Sequence, residues 1–191
     1  MKAIVVVGVG ALGSHAVQFL RGAGASIRAI DFDRVEQRNV ASQFHGKPSV
    51  GKAKVVALQQ SMAFLFGTKI DAVPHKLVAD NARELLGRAD LVLDCLDNGE
   101  ARRIVQGTVR ASGIACLHGA LAGDGSFGRI VWDESFAIDD EPGAGAKTCE
   151  DGAHLPFIAL TAAYLARAAQ EFLARGEKIG FNVSLAGAVR I

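Results

Sequence analysis

The segment AIVVVGVGALGSHAVQFLRGAGASIRAIDFD, residues 3–33, constrains the fold of this chain more than any other. It reads as an apolar strand, a Gly8-x-Gly10-x-x-Gly13 turn, a helix and a second strand that ends in acidic residues. The three glycines serve different ends. The first allows the tight turn, the second lets backbone approach a phosphate, and the third lets helix pack on strand. Amide groups at the start of the helix then face an anion. Asp31, eighteen residues beyond Gly13 and at the end of the second strand, is placed to accept hydrogen bonds from ribose hydroxyls. The segment therefore promises an adenosine and a phosphate. A Gly-rich turn is common, so these residues alone leave an NAD-dependent oxidoreductase as a fair reading.

The same alternation continues down the chain. Ile4 to Val7, Ile27 to Asp31, Ile70 to Val73, Leu91 to Cys95 and Ile114 to Leu117 read as strands covered on both faces, with helix-like segments starting near Ala11, Lys52, Asp80 and Gly99. This repetition implies an α/β chain of Rossmann-like type, a mostly parallel central sheet flanked by helices. After Gly119 comes a period-2 strand in GSFGRIVWD, then a strandless stretch, residues 134–154, long enough to be read as functional. A helix from about Pro156 to Arg175 comes next, with Pro suited to its first turn and Gly176 to its stop, and then the strand-like GFNVSLAGAVRI. Alanines on that helix are expected to pack on the chain's own sheet. At 191 residues, half of them hydrophobic, residues 1–191 are expected to form a single domain.

Charge and cysteine content narrow the partners. Lys plus Arg number 21 against 20 Asp plus Glu, so no global field draws nucleic acid or an anionic membrane. The three cysteines, Cys95, Cys116 and Cys149, fit reduced thiols in a cytoplasm better than a disulfide framework. Cys95 and Cys116 lie in apolar strands and read as buried small hydrophobes. No signal-peptide pattern opens the sequence, and its most apolar later stretch is interrupted by Arg167, Gln170 and Glu171 before the roughly 20 residues of a membrane span. The expectation is a cytoplasmic protein, with no nucleic-acid or membrane partner.

The residues after Asp31 separate the nucleotide readings. DFDRVEQRNVASQFHGKPSVGKAK, residues 31–54, carries Asp31, Asp33, Val35, Asn39, Gln43, Gly51 and Lys54. ADLVLDCLDNGEAR carries Asp94, Asp97-Asn98 and Arg102, and TCEDGAHLPFIALTAA places a Cys, a Gly and a Pro before the last long helix. In these three ordered blocks the chain resembles the ThiF/MoeB/HesA family, the adenylyltransferases related to the ubiquitin-activating enzymes. The resemblance covers roughly residues 3–175.

The resemblance implies that the C-terminal carboxylate of a small protein attacks the α-phosphate of ATP, giving an acyl-adenylate and pyrophosphate. Charge that builds on phosphoryl oxygens calls for cations and donors fixed in advance. By position, Gly8, Gly10, Gly13, Asp31 and Asp33 would belong to the nucleotide cradle, with Asp31 on the ribose. Asn39, Gln43 and Lys54 would contact phosphates, and Asp97 would bind Mg2+. Lys54, Asp97 and Cys149 would carry the chemistry, Cys149 as the nucleophile of a thioester or sulfur relay, aided by Lys147. Taken singly, Asn39 and Gln43 are solvent-facing loop residues, Lys54 an exposed helix charge and Asp97-Asn98 a helix N-cap. The partner implied is a ubiquitin-like or sulfur-carrier protein, and the assembly a homodimer.

Three departures stand out. Ser42 occupies the position where the family has an arginine before the glutamine, and the chain opens at its first strand without the family's arginine-bearing arm. Arg38, Lys47 and Lys52 are the nearby cations that could substitute. The zinc-binding cysteine pairs of many relatives are missing too, so no zinc is expected. The missing arginines keep a second reading open, a scaffold that binds nucleotide or protein without adenylating.

Overall fold

The computed structural model describes residues 1–138 and 152–191, which leaves Lys147 and Cys149 outside the described residues. The chain runs β1 (Ala3–Val7), α1 (Ala11–Phe19), β2 (Ser26–Ile30), α2 (Lys54–Phe66), β3 (Asp71–Val73), α3 (Ala79–Leu86), β4 (Leu91–Asp94), α4 (Gly99–Ser112), β5 (Ala115–Leu121), β6 (Gly128–Trp132), α5 (Leu155–Arg175), β7 (Phe181–Ser184) and β8 (Gly187–Arg190). Short 3₁₀ helices join several of them. All eight strands form one sheet in the order β3-β2-β1-β4-β5-β6-β7-β8. The pairings from β3 through β5 are parallel, and those from β5 through β8 are antiparallel.

The unbroken apolar run of β1 is explained by its two covered faces. Ile4 and Val6 join a core cluster with Leu12, Val17, Leu58 and Leu165, on the side of α1, α2 and α5. Val5 and Val7 join a second cluster with Ala82, Leu86, Val105 and Val109, on the side of α3 and α4. Fully burying a Val, Leu or Ile side chain is worth about 1.5–3 kcal/mol, so a strand with both faces covered is held strongly in register. Four of the seven alanines of α5, Ala162, Ala166, Ala168 and Ala169, are buried against the chain's own core as expected. Helix α5 packs on α1, whose start carries the glycine turn. Gly176 ends it with φ +74°, where the missing Cβ removes the usual penalty.

Three boundaries differ from expectation. The helix expected near Lys52 starts at Lys54, because Lys52 N–H closes a turn onto the Ser49 carbonyl and Ala53 bridges to Arg34. The fifth strand extends to Leu121, where antiparallel pairing with β6 supports it. The C-terminal run is a hairpin with Leu185 and Ala186 at its tip. Strand order reverses at the β1–β4 pair, and open α/β sheets place ligands in the crevice at the carboxyl ends of such strands.

Candidate functional site

The turn after β1 is built around absent side chains. Gly8 has φ +86°, and a Cβ there would stand 3.0 Å from the Cys95 carbonyl oxygen. A Cβ on Gly13 would fall 1.9 Å from the Gly8 carbonyl oxygen, so helix and turn can meet only at glycine. At Gly10 the nearest atom to such a Cβ is Gln43 Nε2 at 3.9 Å. The backbone thus leaves an open approach to the N-terminus of α1, the end of a helix that favours an anion.

Asp31 ties the turn to the end of β2. Its Oδ2 accepts from Val9 N–H at 2.8 Å and its Oδ1 from Asp33 N–H at 2.8 Å. Burial pushes the Asp31 carboxyl above the usual carboxylate range, against the pull of the Asp33 and Val9 amides and of Lys54. Asp33 Oδ2 in turn holds Lys54 Nζ at 3.0 Å. Lys54 is only 8% exposed, which sets aside its reading as an ordinary exposed helix charge. The isolated-residue readings of Asn39 and Gln43 fail as well, since they are 7% and 8% exposed. Asn39 Oδ1 accepts from Glu36 N–H at 2.8 Å and so fixes its own 3₁₀ turn. Gln43 Oε1 is buried without a hydrogen-bond partner. A buried amide oxygen left unpaired is costly, which marks it as a group awaiting a donor.

Two histidines that spacing does not flag hold this loop against the glycine turn. His45 Nε2 lies 3.0 Å from the Val9 carbonyl and His15 Nε2 lies 3.1 Å from the Ser42 carbonyl. A carbonyl can only accept, so each Nε2 donates. His45 Nδ1 is then a bare acceptor, buried with no partner. Burial, with Lys54 and His15 nearby, lowers the His45 pKa to about 4, and burial lowers that of His15 too. Ser14 Oγ accepts from Phe44 N–H at 2.9 Å and completes the attachment. Their partners are backbone groups 27 to 36 residues away, so no local pattern announces them.

Ser42 itself is fully buried. Of the cations offered as substitutes, Arg38 ion-pairs with Glu36 at 2.7 Å and Lys52 donates to Gln60 at 2.8 Å.

Across the crevice, Asp97 is exposed in the loop between β4 and α4. The N-cap reading holds for its neighbour: Asn98 Oδ1 accepts from Ala101 N–H at 2.8 Å. The Asp97 carboxylate does not serve as that cap. No group of three His, Cys, Asp or Glu suited to a metal occurs among the described residues. An exposed carboxylate in the loop that borders Gly8 nevertheless fits Mg2+, which binds through one or two carboxylates plus substrate phosphates. Cys116 is buried, Cys95 is half-buried, and burial pushes both thiols well up, so neither is a ready nucleophile.

A second polar cluster sits beneath the Asp97 loop. Asp94 Oδ1 accepts from Leu96 N–H at 3.0 Å, and its Oδ2 receives Arg102 Nη1 at 3.1 Å and His118 Nδ1 at 2.7 Å. Arg102 Nη2 also donates to the carbonyls of Leu96 and Gly119. His118 Nε2 lies 3.1 Å from Asp133 Oδ1. Burial raises the Asp133 pKa, but hydrogen bonds from Arg110, Gln106 and His118 outweigh it and hold the carboxyl below its ordinary value.

A mostly parallel sheet, the glycine turn and the acidic β2 terminus together define an α/β protein of Rossmann-like type. The model of the ThiF family matches residues 2–185, and the chain belongs to that family. It is 36% identical over 135 residues to the adenylyltransferase and sulfurtransferase UBA4 of Lodderomyces elongisporus, a match that covers 69% of this chain and 30% of that protein. It is 33% identical over 121 residues to the sulfur carrier protein adenylyltransferase of Thermus thermophilus, covering 62% and 45%. The matches thus take in less than half the length of these relatives. Among solved structures, E. coli MccB superposes with a TM-score of 0.79 at 14% identity, covering all of this chain and 61% of that one. E. coli tRNA threonylcarbamoyladenosine dehydratase TcdA, in complex with ATP, gives 0.69 at 19% identity, covering 92% and 88%. Both likenesses bear on the fold. Among the described residues, no helix is long and apolar enough to cross a membrane.

Proposed function

We propose that this chain catalyses ATP-dependent adenylylation of the C-terminal carboxylate of a small ubiquitin-like or sulfur-carrier protein. The observation that carries the reading is the buried Gln43 side chain, whose Nε2 faces Gly10 of the glycine turn, in a crevice that also holds Asp31 and the Lys54–Asp33 pair. The curated relatives named as adenylyltransferases, and a structural neighbour that holds ATP, support ATP over NAD. In the reaction, a carboxylate oxygen forms a bond to the α-phosphorus while the bond from that phosphorus to the bridging oxygen breaks. Pyrophosphate leaves with the bonding pair.

Asp31 would accept the ribose hydroxyls through lone pairs not used on Val9 and Asp33. The Lys54 ammonium, together with the amides of Asn39 and Gln43 and the N-terminus of α1, would meet negative charge that grows on phosphate oxygens. Mg2+ arriving with the nucleotide, held at Asp97, would neutralise further phosphate charge. Cys149 would receive the activated acyl group as a thioester or pass on sulfur. A homodimer in the cytoplasm is the assembly we infer, and light scattering that finds only monomer would remove it.

ATP–pyrophosphate exchange with purified candidate carrier proteins tests the reading. Exchange that disappears in Asp97→Ala while the fold survives supports it, and no exchange with any carrier counts against it. Ser42 favours one alternative, a scaffold that binds nucleotide without transfer. Calorimetry that shows ATP binding without exchange would select it.

A further inference from the structure

We propose that His118 and Phe136 are positioning residues that set the place of Asp97 relative to the bound nucleotide; this rests on the reading of Asp97 given above. Asp97 comes directly after Leu96, and Leu96 is tied by both of its backbone groups. Its N–H donates to Asp94 Oδ1 at 3.0 Å, and its carbonyl accepts from Arg102. The exposed carboxylate is therefore carried by a residue next to a fixed point.

That fixed point is held in turn by His118. The ring is fully buried, and both of its nitrogens lie within hydrogen-bond distance of carboxylate oxygens, Asp94 Oδ2 at 2.7 Å and Asp133 Oδ1 at 3.1 Å. Asp133 is itself gripped from α4, by Arg110 Nε at 2.7 Å and Gln106 Nε2 at 3.0 Å. The cluster thus fastens the end of β4 to β5, β6 and α4 at once. Buried networks of this kind specify one arrangement when every member is satisfied.

Phe136 closes the cluster on its remaining side. Its ring stacks on His118 with centroids 3.9 Å apart and planes 11° apart. The Arg102 guanidinium lies 5.4 Å from the centre of the same ring, and Gln106 Nε2 reaches the Phe136 carbonyl at 3.3 Å. One aromatic ring thus lies against both side chains that anchor the Asp97 loop. The anchored Leu96 backbone borders Gly8, its nitrogen 3.3 Å from where a Cβ there would stand, and Asp97 is the exposed carboxylate that follows it, so a metal-dependent readout separates an effect at Asp97 from one at the turn. Residues that hold a ligand-bearing group in place in this way govern how well it meets its partner.

Titration calorimetry of ATP with and without Mg2+ tests the inference by binding rather than by turnover. Phe136→Ala, at a half-buried position, and His118→Asn are expected to weaken ATP binding about tenfold in the presence of Mg2+. Affinity for metal-free ATP is expected to stay at the wild-type value, and Phe136→Tyr to restore the Mg2+-dependent part. Should His118→Asn fail to fold, the Phe136 pair decides alone. Equal weakening with and without Mg2+, or no weakening in either condition, overturns the inference and leaves the proposed function standing. A wild-type chain that binds ATP identically with and without Mg2+ overturns the reading of Asp97 itself, and the inference with it.

Discussion

Mild acidification is expected to destabilise the chain chiefly through His45. Its Nε2–H is spent on the Val9 carbonyl, and its Nδ1 faces a buried region without a partner. A second proton would create an unpaired buried cation close to Lys54, and the pKa is accordingly lowered from 6.5 to about 4. Below the unfolded value the unfolded chain takes up a proton that the folded chain refuses. Stability conferred by neutral His45 is therefore complete above about pH 6.5 and is lost as pH falls toward the folded value. The full loss amounts to about 3 kcal/mol, of which about 2 kcal/mol is gone by about pH 5, with a limiting slope of about 1.4 kcal/mol per pH unit. His15, also lowered by burial, acts in the same direction. Asp31 acts oppositely, because its raised pKa lets the folded chain bind a proton first.

Urea unfolding followed by the fluorescence of Trp132, a buried residue and the sole tryptophan, reads this out across the pH range. His45→Gln keeps a side-chain amide donor for Val9 and removes the titration. The wild type is expected to lose more stability than the variant between about pH 6.5 and about pH 4.5, by about 2 kcal/mol. Parallel curves for the two proteins over that window would refute the reasoning.

Other perturbations separate stability from chemistry. Gly13→Ala must displace the Gly8 carbonyl, so a loss of about 2 kcal/mol or more is expected by thermal unfolding, with nucleotide binding lost as well. Lys54→Ala leaves Asp33 half-exposed to water, so stability is expected to change by less than about 1 kcal/mol. Its pyrophosphate-exchange rate is expected to fall about 100-fold, and an unchanged rate would remove Lys54 from the site. Cys149→Ser is expected to keep exchange while abolishing any thioester or persulfide seen by intact-mass spectrometry; loss of exchange as well would contradict the assigned order of steps.

The framework is legible in the sequence because its signals are local. Apolar runs such as Ile4–Val7 announce strands covered on both faces, and the spacing of Gly8, Gly10 and Gly13 reflects contacts within one βαβ unit. The hairpin of β7 and β8 is half legible, since Leu185 and Ala186 at its tip carry no turn signature. The supports of the site are not legible. His45, His118 and Asp133 find partners on other elements, and a buried histidine meeting a distant carbonyl or carboxylate has no period in sequence. Lys54 reads wrongly in isolation for the same reason, because Asp33, its partner across the loop, decides its burial.

In the proposed site, the carboxylate of Asp31 would give the two ends of a nucleotide a common anchor. It grips the phosphate turn at Val9 and stands at the end of β2, where a ribose would rest. Pulling on either end is therefore felt at the other. Adenosine and inorganic triphosphate, offered as separate fragments, should each bind far more weakly than their tethered form, and each should bind better once the other is in place. A crevice wired in this way measures the length of its ligand as well as its chemistry.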